Sequence, residues 1–328
     1  MGAAESPSSG ALDLLIRGGL LVTEAGLVRG AVGVRGGRIA ALLEGDGSLP
    51  AAEVVEARGL VVLPGGVDPH VHFNEPGRAD WEGIASGTRA AAAGGITTIL
   101  DMPLNSNPPL ATLAAWEAKL AAAKDQASVD YGLWAALFPS NRDALGGLAE
   151  AGACGFKAFM SPVATEFEPV DSAALLAGLR ALAPRGALVG VHAENADLVT
   201  GLQADLQAAG RRDPQAWLEA RPAVAELEAI GRALLLAREA GARLHVVHLS
   251  IADGLRAITA ARRAGQPATT ETCPHYLLLT GADLERLGPV AKCAPPLRSA
   301  TDVEALWRGL AAGEIDCVAS DHSPCPWE

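Results

Sequence analysis

The feature that most restricts what this chain can fold into is an alternation that starts near Gly65 and continues to its end. Short apolar runs recur, each followed by an alanine-rich stretch with helical spacing. The runs occupy 66–71, 97–100, 129–137, 154–159, 188–191, 243–249, 267–271 and 315–320, eight in all. Helix candidates lie between them at 82–93, 110–123, 142–151, 172–182, 224–240 and 252–264, with acidic or hydroxyl starts such as Glu82 and Ser172. Uninterrupted apolar strands alternating with helices read as a parallel sheet buried on both faces. Eight such units predict a (β/α)8 TIM-type barrel, whose chemistry sits at the C-terminal ends of its strands. The alternative, an open doubly wound sheet, would carry G-x-G-x-x-G after an early strand, and none is present.

Ahead of the alternation, 12–63 reads as short β segments punctuated by glycine, at 12–16, 20–22, 31–34, 39–43, 54–55 and 60–63. The predicted division is a flexible Ser/Pro/Gly-rich start at 1–11, a small β part at 12–63 and the barrel at 64–328. With 49% hydrophobic and 20% charged residues, the 328-residue chain can bury a large core, which excludes disorder and small disulfide scaffolds. Against 26 Lys and Arg stand 38 Asp and Glu, a formal charge of −12, so no basic field attracts nucleic acid or an anionic membrane. Five cysteines, odd in number and without C-x-x-C, are expected to be free thiols of a reducing compartment. The N-terminus lacks the blocks of a signal peptide, and no apolar run reaches membrane-spanning length, so the expected location is cytoplasmic.

The seven histidines are His70, His72, His192, His245, His248, His275 and His322, and four of them close predicted strands. His70 and His72 stand at i, i+2, so on a strand both rings share a face and can hold one metal ion; two hydrogen-bonded core histidines are the plainer alternative. His192 and His248 close two further strands, and period-2 alternation predicts that if His248 enters the barrel mouth, His245 faces the helices. Lys157 lies inside the fourth strand, where lost hydration favours a neutral amine able to add CO2 as a carbamate; an amine that snorkels or pairs with an acid is the other reading. Asp321 ends the eighth strand, where a carboxylate serves a cation, a proton or the cap of a turn. Four histidines, one lysine and one aspartate at five strand ends together describe a two-metal hydrolytic site. His275 and His322 are expected to support the site or the fold rather than to ligate.

These residues sit in ordered motifs: Gly-Gly-Val-Asp-Pro-His-Val-His-Phe-Asn-Glu-Pro-Gly-Arg, Asp-Met-Pro-Leu-Asn-Ser-Asn-Pro-Pro, Gly-Phe-Lys-Ala-Phe-Met, Val-His-Ala-Glu-Asn, Val-Val-His-Leu-Ser, Glu-Thr-Cys-Pro-His-Tyr-Leu, Cys-Ala-Pro-Pro-Leu-Arg and Ala-Ser-Asp-His-Ser-Pro. From about Leu12 to Pro326 the chain resembles the cyclic amidohydrolases of the metal-dependent amidohydrolase superfamily, and within them the allantoinases. The resemblance implies that His70, His72, Asp321 and Lys157, as its carbamate (N6-carboxylysine), hold one divalent metal, and that the carbamate, His192 and His248 hold the other. Zinc is the expected ion, with CO2 needed for the lysine. Asp321 is implied as the catalytic proton carrier, and Asn74, Asn105, Cys293, Ala294 and Pro295 as substrate contacts. Dihydroorotases carry at the position of Asn74 an arginine that grips a carboxylate, and hydantoinases carry at that of Pro162 a tyrosine that assists the oxyanion. The expected reaction is therefore hydrolysis of the hydantoin-ring amide of allantoin to allantoate by a metal-bridging hydroxide. A dihydropyrimidinase-like or hydantoinase-like cyclic amide hydrolase and an inactive scaffold fragment are the alternatives. The resemblance also implies a homotetramer acting on a small cyclic ureide, and a small β-sandwich that a C-terminal portion completes. Since the chain stops at Glu328, the expectation is an incomplete sandwich, no helix after the eighth strand, and exposed sheet edges.

Overall fold

The computed structural model describes residues 11–45, 47–163 and 167–326. Of the start expected to be flexible, all but Ala11 lies outside the described residues. The chain divides into two compact units, Met1–Gly66 and Val67–Glu328.

The first unit is a five-stranded sheet of β1 (Leu12–Thr23), β2 (Gly26–Arg35), β3 (Arg38–Glu44), β4 (Ala51–Glu56) and β5 (Val61–Val62), with β3-β2-β1-β4 in order and β5 also on β1. The segments expected at 12–16 and 20–22 are one strand. Its register against β2 slips between Arg17 and Gly19, where Gly18 takes φ 75°, so the glycines mark a bulge and not a break. Leu12, Leu15 and Ala31 form the small core of this unit, while Ile39, Leu42, Val54 and Val61 are exposed.

The second unit is the barrel. Its strands are β6 (Gly66–Val71), β7 (Ile96–Asp101), β8 (Asp130–Ala136), β9 (Gly155–Phe159), β10 (Leu188–His192), β11 (Arg243–Val246), β12 (Ala268–Thr272) and β13 (Cys317–Val318), hydrogen-bonded in sequence order. A parallel bridge between Val71 and His322, with the His72 N–H donating to the His322 carbonyl at 2.8 Å, joins the two ends and closes the ring. Helices at Ile84–Ala93, Leu113–Ala123, Ser172–Leu182, Ala223–Ala240 and Ala252–Arg263 follow the expected pattern. The expected 142–151 helix is a 3-10 turn (Pro139–Ala144) leading into the short Leu145–Glu150 helix, whose two glycines disfavour a longer one. Thr112, Asp171, Asn195, Asp213 and Ser299 cap helices by accepting a backbone N–H.

Alternation along the strands sends one face outward and one inward. Phe156, Val189, Val191, Leu244 and Val246 pack outward with Leu175, Leu179, Ile230 and Ile258. Ala225, Ala229, Ala233 and Ala237, each four residues from the next, are wholly buried along one stripe of the Ala223–Ala240 helix, so small side chains let that helix lie close on the core. Inside the barrel, Trp134 fills the layer below Lys157. Gly155 and Gly190 leave the room, since a Cβ on either would stand 2.3 or 2.9 Å from the indole. Among the described residues no helix is long and apolar enough to cross a membrane, and all five cysteines are free.

Candidate active site

The inward face of β6 carries Asp68 and His70, His72 follows one residue beyond the strand, and the two histidines project to one point. His70 Nε2 lies 3.1 Å from His72 Nε2, and both atoms lie 3.1 Å from Asp321 Oδ1. Three ligand-type atoms that converge in this way can hold a metal ion. His72 Nδ1 donates to the Leu104 carbonyl at 2.6 Å, which leaves Nε2 for the cluster. Asp321 lies three residues beyond β13. Its φ of 50° turns the carboxylate inward.

A second group stands beside the first. His192, at the end of β10, directs Nδ1 at His248 Nε2, 3.1 Å away, while its Nε2 pairs with Glu194 at 2.7 Å. Lys157, in the middle of β9, is wholly buried, and its Nζ has no hydrogen-bond partner among the described residues. The six positions expected to ligate therefore come together in one cleft of about 460 Å3. Of the expected substrate contacts, Asn105, Cys293 and Ala294 line that cleft. Asn74 and Pro295 stand behind it. Asn74 accepts from the Asn105 amide at 3.2 Å and donates to the Pro324 carbonyl, and the Pro295 carbonyl accepts from the Tyr276 hydroxyl at 2.5 Å. His275 also lines the cleft, whereas His322 points away and pairs with Glu82 at 2.7 Å.

His245 corrects an expectation. It faces the barrel interior, where it meets Thr269 and Glu271, and not the helices. Strict alternation fails because β11 ends at Val246 and His248 lies beyond it at φ 40°, so both histidines can point inward. Asn74, His248 and Asp321 are the three non-glycine residues with positive φ among the described residues. Each occupies the turn leaving a barrel strand, a conformation that costs about 1–3 kcal/mol and that the surrounding structure must hold in place.

Electrostatics separate the groups. Burial lowers Lys157 to about 8, although the charges of Asp321 and Glu271 oppose it. Burial also works to lower His70, but Asp321 and Glu271 outweigh it and raise that imidazole to about 9. His248 is held well below the usual imidazole range by burial and then by the Lys157 charge. For Asp321, burial pushes the carboxyl up, but the charge and hydrogen bond of His70 hold it well below the usual carboxylate range.

Three groups went unread in the sequence. Glu271 sits under His70, Glu194 behind His192, and Arg221 pairs with Glu194 while its guanidinium stacks 4.5 Å from the centre of the Trp217 ring. Glu194 lies two residues beyond the end of β10, where alternation no longer predicts which way a side chain faces. Ser161, wholly buried with no partner for its hydroxyl among the described residues, also lines the cleft.

The sequence profile of the Amidohydrolase family matches residues 61–325. The chain belongs to the amidohydrolase family. Allantoinase from Rubrobacter xylanophilus is 50% identical over 320 residues, which cover 96% of this amidohydrolase and 69% of that protein. Allantoinase from Deinococcus radiodurans is 47% identical over 96% of this chain and 70% of its own. Among solved structures, L-hydantoinase (dihydropyrimidinase) from Arthrobacter aurescens superimposes with a TM-score of 0.91 at 37% identity, covering 96% of this amidohydrolase and 70% of that chain. The barrel with an N-terminal sheet is thus the fold of its relatives.

Proposed function

We propose that this amidohydrolase is an allantoinase, which opens the hydantoin ring of allantoin by hydrolysing a ring amide and gives allantoate. The observation that carries the reading is the 50% identity to an allantoinase over 96% of the chain. The donor set supports a metal-dependent reaction. Imidazole nitrogens and a carboxylate oxygen face one another at 3.1 Å, and a buried lysine amine stands among them with no hydrogen-bond partner among the described residues. His70, His72 and Asp321 would hold one divalent cation, His192 and His248 a second, and Lys157, as a carbamate, both. Zinc is the proposed ion on the resemblance to the metal-dependent amidohydrolases, since N and O donors alone do not choose among first-row metals. When bound, such a pair of cations supplies an acidified water and a polarised ring carbonyl.

The chain's own residues do the rest. Asp321, kept ionised at neutral pH, takes a proton from water at its carboxylate and returns it to the departing ring nitrogen. Asn105 and the backbone at Cys293 and Ala294 offer uncharged hydrogen-bonding groups to a neutral ureide along the cleft, which Arg221 and Lys292 also line. Asn74 and Pro295 act through their neighbours, Asn74 by holding the Asn105 amide and Pro295 by anchoring Tyr276. A second reading, a hydantoinase, is favoured by the structural likeness to L-hydantoinase. Turnover of allantoin, hydantoin, dihydrouracil and dihydroorotate by zinc-loaded protein tests the choice. Allantoin should be opened fastest, and faster opening of hydantoin or dihydrouracil would overturn the allantoinase reading. Elemental analysis should find two metal equivalents per chain, and fewer would overturn the two-metal centre.

A further inference from the structure

Below the candidate ligands lies a carboxylate that the proposed reaction leaves unused. Glu271 is the fourth residue of β12 and is wholly buried. One of its oxygens, Oε1, pairs with His70 Nδ1 and also accepts the backbone N–H of His248 at 3.2 Å. The other, Oε2, lies 3.2 Å from His245 Nε2, and His245 Nδ1 in turn meets Thr269 Oγ1 at 2.8 Å. A single side chain from β12 thus grips β6 and the turn after β11, the two places from which ligands of different half-sites project.

An ionised carboxylate can only accept, so the proton it shares with His70 belongs to Nδ1. Nε2, the atom that faces His72 and Asp321, is then the one left to ligate. The same oxygen holds the His248 backbone at the left-handed turn that swings its ring toward His192. We propose that Glu271 is a positioning residue for both metal half-sites, selecting the ligating nitrogen of His70 and fixing the turn that presents His248. This inference rests on the two-metal reading above. It also gives His245 a task, which is to occupy the second oxygen so that the carboxylate cannot rotate away from His70.

Glu271→Gln keeps the shape and removes the charge. Titrated with Zn2+ against a competing chelator, this variant should bind both equivalents about 10–100-fold more weakly than the wild type. Its metal-free form should still unfold in one cooperative transition by calorimetry, so that weaker binding reads the half-sites and not loss of the barrel. Nitrogen NMR of zinc-loaded wild type gives a measurement that does not depend on the variant folding, and it should show His70 protonated at Nδ1. Two equivalents bound by the variant at wild-type affinity, or His70 protonated at Nε2, would overturn the inference while leaving the two-metal reading intact. Wild-type protein that takes up fewer than two equivalents would overturn both.

Discussion

Lys119→Met tests whether the loops at the barrel mouth depend on one buried charge. Lys119 lies on the Leu113–Ala123 helix with only 1% of its surface exposed. Its ammonium sits 2.5 Å from Asp101 Oδ2, donates to the Glu75 carbonyl and reaches Ser106 Oγ at 3.2 Å. Asp101, itself buried at the end of β7, accepts the Phe73 N–H at 3.1 Å through its other oxygen. The pair therefore ties together the loops that carry Asn74 and Asn105, which are further joined by Asn107 N–H to the Pro76 carbonyl at 2.8 Å and Arg78 to the Asn105 carbonyl at 2.7 Å. Methionine keeps the aliphatic stem and its packing but leaves the buried Asp101 carboxyl without its cation. Breaking one side of a buried pair costs about 3–5 kcal/mol. At about 2–4 °C per kcal/mol for a domain of this size, the melting temperature should fall by about 6–20 °C. Differential scanning calorimetry of the metal-loaded protein reads this directly. The double variant Lys119→Met/Asp101→Asn removes the orphaned charge and should recover more than half of the loss. A fall below 2 °C in the single variant, or simple additivity in the double, would refute the argument. Because Asn105 moves with the loop, kcat/KM for allantoin should fall about 100-fold in the single variant.

Further outcomes can be checked separately. Gly155→Ala places a Cβ 2.3 Å from the Trp134 ring, so it should destabilise the barrel by about 1–3 kcal/mol, read by denaturant titration; wild-type stability would mean that the indole yields freely. On the two-metal proposal, Lys157→Ala should leave about one zinc equivalent after dialysis where the wild type should keep two, by elemental analysis. With the Lys157 amine at about 8, its neutral fraction rises from about a tenth at pH 7 to about nine tenths at pH 9. Carbon NMR of the metal-free protein at fixed dissolved 13CO2 should show the carbamate signal growing over that interval, and a flat profile would refute the low value.

Much of the site was legible because its residue types are conspicuous where they stand. A lysine inside an apolar strand, two histidines at i, i+2 and an aspartate ending a strand each conflict with their surroundings, and the conflict marks them. Glu271 conflicts just as strongly in Ala-Thr-Thr-Glu-Thr, but its meaning lies in partners 201 and 26 residues away, and no local pattern names them. His245 went astray for a related reason. Alternation predicts facing only while the strand lasts, and β11 stops two residues short of His248. The left-handed turns at Asn74, His248 and Asp321 were likewise invisible, since the tertiary structure imposes them on residues with no glycine-like freedom. In the small sheet, Gly18 and Gly19 read as an interruption because a bulge and a turn use the same residue.

The indole that fills the barrel below Lys157 has a consequence for traffic. Trp134 is 3% exposed, and its ring lies against Gly155 and Gly190 while its Nε1–H donates to the Pro69 carbonyl at 3.3 Å, so it spans the interior as a floor. Substrate and product would then pass through the cleft at the mouth, on the side of the barrel away from that ring. Whatever slows the loops around Asn105, Ser161 and Cys293 slows entry and exit alike, and a substitution at that rim that widens the opening would speed product departure at the cost of admitting bulk water to the reacting amide.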